Sequence, residues 1–201
     1  MAGLFQSAAG VPGGAAVALD EVEISILRSL AVQLLELIGP GPGADEAGGE
    51  QDPLAALMAD GPTEPPSDPV LARLFPDAYG GPGAGMDAGT REAAAEFRRY
   101  TENDLRARKR EDGLAVVRTL DSLATTGEGG AVLTLTPEQS RQWLGALNDL
   151  RLAIGARLEI TEDEDGDELY ALPDGDPRKP MVMAYLWLGA LQESLVETLA
   201  P

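Results

Sequence analysis

A chain of 201 residues is long enough for one domain with a real core, and its 15 Lys and Arg against 34 Asp and Glu give a net charge of -19. Such a field repels nucleic acid and anionic lipid at long range and favours solubility or basic partners. Cysteine and histidine are both absent, which excludes disulfides, thiolate or imidazole metal sites, thiol redox sensing and the commonest general base within this chain.

The N-terminal stretch MAGLFQSAAGVPGGAAVALDEVE has no positively charged start, and Pro12, Gly13 and Gly14 interrupt its apolar residues, so it does not read as a secretory signal. No run of about 18 uncharged apolar residues suggests a membrane span, and the expected location is the cytoplasm. The first element is DEVEISILRSLAVQLLELI, where Asp20 and Glu23 form a capping box. Val22, Ile26, Leu30 and Leu37 fall on one face, and Ile24 and Leu35 on the other, which predicts a central helix in a bundle. GPGPG ends it.

From 39 to 69 the composition is Gly, Pro and acid, which predicts a mobile linker within a single helical domain spanning 1–201. DPLAALMAD within it suits a short docking helix. In DPVLARLFPDAYGG, Val70, Leu71, Leu74 and Phe75 anchor another short helix before Pro76 turns the chain. A long charged helix follows from Asp87 or Thr90, with a break expected at Tyr100, where Thr101 and Asp104 form a cap-like pair, and a kink at Gly113. Leu105, Val116, Leu120 and Leu123 share a stripe.

AVLTL at 131–135 reads as a strand, and ELYAL at 168–172 is its expected partner in a small ribbon. Between them lies LTPEQSRQWLGALNDLRLAIGARLEI. Thr136, Pro137 and Gln139 mark its start, and Trp143, Leu147, Leu150, Ile154 and Leu158 share one face at the 3.6-residue period, with Leu152 pointing the opposite way. The last helix is PMVMAYLWLGALQESLVETLA, whose residues Met181 to Ala190 carry no charge and should be buried nearly all round. The fold class is therefore mainly α: a helical bundle with at most one short two-stranded β ribbon. The outward Leu152 and the two-sided first helix fit either extra packing within the chain or a homodimer.

Few residues invite chemistry. TEDEDGDE at 161–168 fails as a calcium loop because Thr161 and Leu172 occupy its first and twelfth positions, and reads instead as a solvated acidic turn. No serine has a nucleophile elbow, and no phosphate-binding loop or dinucleotide fingerprint occurs. Neither cofactor, metal nor catalysis is expected. Trp143 and Trp187 read as core anchors.

FRRYTENDLRARKR is the one basic region: the window 91–110 holds seven cations and four acids, a net +3 against -22 for everything else. Arg98, Arg99, Arg106, Arg108, Lys109 and Arg110 are the candidate partner-binding residues. Three readings compete for them: an exposed face with i,i+4 pairs such as Glu102 with Arg106 and Asp104 with Arg108, a docking face for an acidic partner or the chain's own acidic loops, and a phosphate-contacting surface.

Four blocks, RLFPDAYGG, AEFRRYTENDLRARK, LTPEQSRQWLGALNDLRLAIGARL and YLWLGALQESLVETL, resemble in order the actinobacterial AosR family, long catalogued as a domain of unknown function and named for oxidative-stress transcriptional regulation. The resemblance runs from about Val17 to Ala200. It implies a non-enzymatic cytoplasmic regulator that acts on transcription by contact with a sigma factor or RNA polymerase. An internal cysteine switch is impossible in this chain. No family functional residue transfers to it. The alternative is a transcription factor that binds DNA directly through the ribbon and a neighbouring helix as a winged-helix-like module. That reading is weakened by the net charge and the lack of a basic recognition helix.

Overall fold

The computed structural model describes residues 3–40, 60–79, 85–123, 130–160 and 169–199. In chain order, the elements are β1 (Gln6–Ser7), β2 (Ala15–Leu19), α1 (Glu21–Ile38), α2 (Pro69–Leu74), α3 (Ala88–Asp121), β3 (Ala131–Leu135), α4 (Pro137–Arg157) and α5 (Lys179–Leu199). The fold is mainly α. Helix α4 packs against α1, α2, α3 and α5, and the strands of the small sheet contact α4 and α5.

The local signals for α4 work as the sequence predicts. Thr136 Oγ1 accepts from Gln139 N at 3.2 Å, and Gln139 Oε1 accepts from Thr136 N at 2.9 Å, so two otherwise orphaned donors are satisfied. Trp143, Leu147, Leu150 and Ile154 are buried, and Leu158 packs at their edge. Trp143 is fully enclosed. Its indole N–H donates to Thr119 Oγ1 on α3 at 2.9 Å, and Phe5 meets its ring edge-on at 5.9 Å between centroids. Leu152, expected to point outward, packs partly against the core. In α2, Asp68 caps the first turn, and Val70, Leu74 and Phe75 are buried as expected.

The ribbon has a different partner. β3 pairs antiparallel with β2 (Ala15 opposite Leu135, Val17 opposite Leu133, Leu19 opposite Ala131), and β1 adds a short third strand on the far side of β2. Ala15, Val17, Leu19, Leu133 and Leu135 alternate onto the buried face, a period that only an extended chain gives. Leu169 and Tyr170, within the segment expected to pair with β3, form a helical turn instead. The ribbon that precedes α4 is thus built from β2 and β3, not from β3 and the 168–172 segment.

Three further expectations change. Helix α1 buries Leu27, Ala31, Leu34 and Ile38, spaced at four, three and four residues, while Val22 and Ile26 are exposed. A helix apolar on most of its circumference offers two phases, and packing against α3 and α4 selects the one that includes Ala31. Helix α3 runs unbroken for 34 residues from its N-cap Asp87. Thr101 does not cap a second helix; its hydroxyl donates back to Phe97 O at 2.8 Å within the same one. Gly113 lies buried beneath Leu35 of α1, where a Cβ would approach the leucine to 3.1 Å, so the glycine permits close helix contact.

The third change concerns α5, which is not buried all round: Met181 and Met183 are exposed. The short helix expected at 52–60 and the acidic turn at 161–168 fall almost wholly or wholly outside the described residues, as does most of the predicted linker.

The revised phase of α1 makes a direct prediction. Leu34→Ala should lower unfolding free energy by about 2–5 kcal/mol, whereas Val22→Ala should change it by less than about 0.5 kcal/mol. Urea titration of both variants checks this; comparable losses would restore the phase built on Val22 and Ile26.

Candidate functional site

At 100° per residue, Arg98, Glu102, Arg106, Lys109, Gly113, Val116 and Leu120 lie on one side of α3. The lower half of that stripe is apolar and packs conventionally. The upper half is charged, and it points inward. Arg98 and Glu102 are 4% and 3% exposed. Glu102 sits between two arginines one turn away on either side: one carboxylate oxygen accepts from Arg98 Nη1, and the other lies 2.8 Å from Arg106 Nη2. Arg98 Nη2 then reaches Asp77 Oδ1 at 2.9 Å and the carbonyl of Phe75 at 3.0 Å.

The neighbouring cations close helix ends. Arg106 Nη1 donates to Ile38 O at 3.0 Å, and Arg110 Nη1 donates to Gly39 O. Helix α1 has no basic residue in its last turn, so α3 provides the positive charge that its carbonyl end attracts. Phe75, which caps α2, lies beneath the Arg106 guanidinium at 4.2 Å. Lys109 Nζ contacts Asp149 Oδ1 of α4 at 2.5 Å. Of the six sequence-nominated residues, Arg98, Arg106, Lys109 and Arg110 are therefore committed to internal partners. The expected Glu102–Arg106 pair is formed, and Asp77 and Asp60 are acids of the chain's own loops that dock on Arg98 and Arg99.

Two carboxylates near Lys109 feel the burial. Burial pushes Asp149 above the ordinary carboxylate range, with the Lys109 ammonium opposing the rise. Asp112 is pushed up to about 6 by burial first, with the nearby Asp149 and Glu111 adding to the rise and Arg108 and Lys109 opposing it. Gly145 on α4 leaves room for this carboxylate; a Cβ there would come within 2.5 Å of its Oδ2.

Arg99 and Arg108 face solvent. Arg99 reaches Asp60 Oδ2 at 2.5 Å and lies 5.6 Å from the centroid of the Tyr100 ring. On the other flank of Tyr100, Tyr79 and Phe97 meet edge-on at 5.9 Å, and Tyr79, Phe97 and Tyr100 are all exposed. Three of the chain's nine aromatic residues thus crowd one outer patch. Arg108 shares the helical phase of Phe97 but lies eleven residues on, about 16 Å along the axis at about 1.5 Å per residue. Sequence periodicity did not single out this patch, because its aromatic residues come from two segments that meet only in the fold.

No helix among the described residues is long and apolar enough to cross a membrane, and no group of His, Cys, Asp or Glu among them could hold a metal ion.

Comparison with known proteins places this architecture. Residues 5–199 match the family described as a domain of unknown function, DUF2017. Proteins from Mycobacterium tuberculosis and Mycobacterium bovis named "Oxidative stress regulator AosR" are 31% identical over 179 residues, covering 87% of this chain and 77% of theirs. A Mycobacterium leprae relative is 33% identical over 180 residues, with the same coverage. No solved structure matches the chain.

The inward charges and the outward ones should respond differently to substitution. Arg98→Ala leaves Glu102 and Asp77 short of a cation and should cost about 3–5 kcal/mol, while loss of the exposed Arg99–Asp60 pair through Arg99→Ala should cost less than about 1 kcal/mol. Thermal and denaturant unfolding measure both, and equal effects would contradict the inward assignment. Asp112 adds a pH signature. Its folded value lies above the unfolded one, so the folded chain binds this proton more tightly, and the group's contribution to stability rises as pH falls through about 6. Asp112→Asn should therefore be more stable than the parent near neutral pH, with the difference fading below about pH 4, where the unfolded carboxyl also protonates. A difference independent of pH would refute the shift.

Proposed function

The chain belongs to the DUF2017 family, and on that basis we propose that it is a non-enzymatic regulator of transcription in an oxidative-stress response, working by protein–protein contact in the cytoplasm. Relatives named as oxidative stress regulators support the regulatory role. The partner class proposed is a sigma factor or RNA polymerase. Whatever signal the protein answers reaches it without thiol chemistry of its own, since the chain has no cysteine.

The observation that carries the contact mode is the outer patch of α3. Tyr79, Phe97 and Tyr100 are exposed, with Arg99 against the Tyr100 ring, and tyrosine and arginine are the residue types that dominate binding energy at protein interfaces. An aromatic surface with Arg99 at its edge and Arg108 farther along the same helix suits an acidic, partly apolar partner segment. The candidate contact residues narrow accordingly to Arg99 and Arg108, joined by the aromatics, while Arg98, Arg106, Lys109 and Arg110 support the helix that presents them. Direct reading of DNA is disfavoured by the net charge of -19.

Purified RNA polymerase, with and without its sigma factors, provides the test. The parent chain should be retained on it, and the combined variant Phe97→Ala, Tyr100→Ala, Arg108→Glu should bind at least about tenfold more weakly while melting at the parent temperature. Parent binding that survives the triple substitution would place the contact elsewhere. Failure of the parent to bind, together with sequence-selective gel shifts at low salt, would replace the proposal with direct DNA recognition.

A further inference from the structure

Helix α5 is apolar on more of its surface than one chain covers. Val182, Leu188, Leu191 and Leu195 are buried against the bundle. On another side, Met183 and Val196 are exposed, and Ala190 between them also faces out. Leu4 and Ile26 of α1 continue this surface at 50% and 40% exposure. Together they line a shallow open groove of about 1210 Å³. The stretch Met181 to Ala190 has no charge at all, a composition suited to burial on more than one side.

The charges around this groove are mismatched within one chain. Arg151 enters it from α4, over the Tyr185 ring at 5.1 Å, and donates to Gln192 Oε1 at 2.8 Å. No carboxylate among the described residues forms a salt bridge with it, although acids outnumber cations by more than two to one along the chain. Glu193 and Glu197 stand on the outer side of α5, on the same groove, and neither forms a salt bridge with a cation among the described residues. The Trp187 indole N–H, also on this groove, is buried without an acceptor among the described residues.

We infer that this face binds a second copy of the same chain, two α5 helices crossing near Ala190 about a two-fold axis. A two-fold interface must be complementary to itself. An apolar surface that carries an unpaired arginine together with unpaired glutamates meets that requirement, because Arg151 of each copy can face Glu193 or Glu197 of the other. Ala190, small and exposed, lets the helix backbones approach closely, while Gly189 makes room for the Arg151 guanidinium of its own chain, whose Nε lies 3.4 Å from where a Cβ would stand. The net charge of each copy opposes assembly, so the buried apolar face and the crossed pairs must outweigh it. This surface is distinct from the α3 patch, and its failure would leave the regulatory reading untouched.

Sedimentation velocity of the full chain across the micromolar range tests the inference. The parent should show a concentration-dependent dimer. Glu193→Arg with Glu197→Arg, both exposed and harmless to folding, should weaken dimerisation at least about tenfold by setting like charges against Arg151. Adding Arg151→Glu to that pair should restore the dimer, because the crossed pairs are rebuilt with reversed sign. Met183→Glu with Val196→Glu should give a monomer whose far-UV spectrum matches the parent. A parent that stays monomeric throughout, or a dimer indifferent to these changes, would overturn the assignment.

Discussion

The constraint on which the rest of the structure depends is the charged inner stripe of α3. Glu102 lies between Arg98 and Arg106, and this short ladder of alternating sign is buried where a helix bundle ordinarily places leucine. Removing such charges from water costs several kcal/mol each, and a salt bridge alone recovers little of it. Additional hydrogen bonds offset the cost here: Arg98 also meets Asp77 and Phe75 O, and Arg106 also meets Ile38 O and the Phe75 ring. The stripe adds little net stability over an apolar one, but it fixes position. The carbonyl ends of α1 and α2 are directional acceptors, and a slip of one helical turn would strand both them and the guanidinium groups without partners.

That placement reorganises the functional question. A run of arginines in a strongly acidic protein invites the idea of a basic docking patch, yet four of its six candidate cations hold helices together. What remains outside is smaller and chemically mixed: three exposed aromatic rings, Arg99 against one of them, and Arg108 farther along the same helix. The scaffold and the presented surface are two sides of the same helix, so changes to the inner ladder would reach the outer patch through α3. The α5 face is separate from it, supported by α4 and α1, and its unpaired charges belong to a different set of residues.

The parts of this fold legible in the sequence are those specified by local chemistry. The capping boxes at Asp20 and Thr136, the Pro137 start and the Trp143-to-Ile154 stripe all appear where periodicity and capping place them. What escaped was set by tertiary choice. The phase of α1 was ambiguous because its apolar residues surround most of the helix. The cap-like Thr101 and Asp104 lie within a helix whose continuity is enforced from its inner face. The N-terminal strands were obscured by alanine, which has little strand preference. A signal was nonetheless present: AAGVPGG separates QS from the alternating AAVAL, and Gly10 and Gly13 adopt the positive φ angles of 81° and 69° that the turn needs. The inward direction of the cations had no local signature, since an exposed face with i,i+4 pairs and a buried ladder share the same spacing.

The central claim is that Arg98 and Glu102 act as one buried unit that positions α3. A double-mutant cycle on this pair, Arg98→Met and Glu102→Gln singly and together, measures their coupling most directly. The account predicts a coupling of more than about 1 kcal/mol, with the double variant less damaged than the sum of the single variants. Losses that add to within about 0.3–0.5 kcal/mol would show two independent surface charges and contradict it.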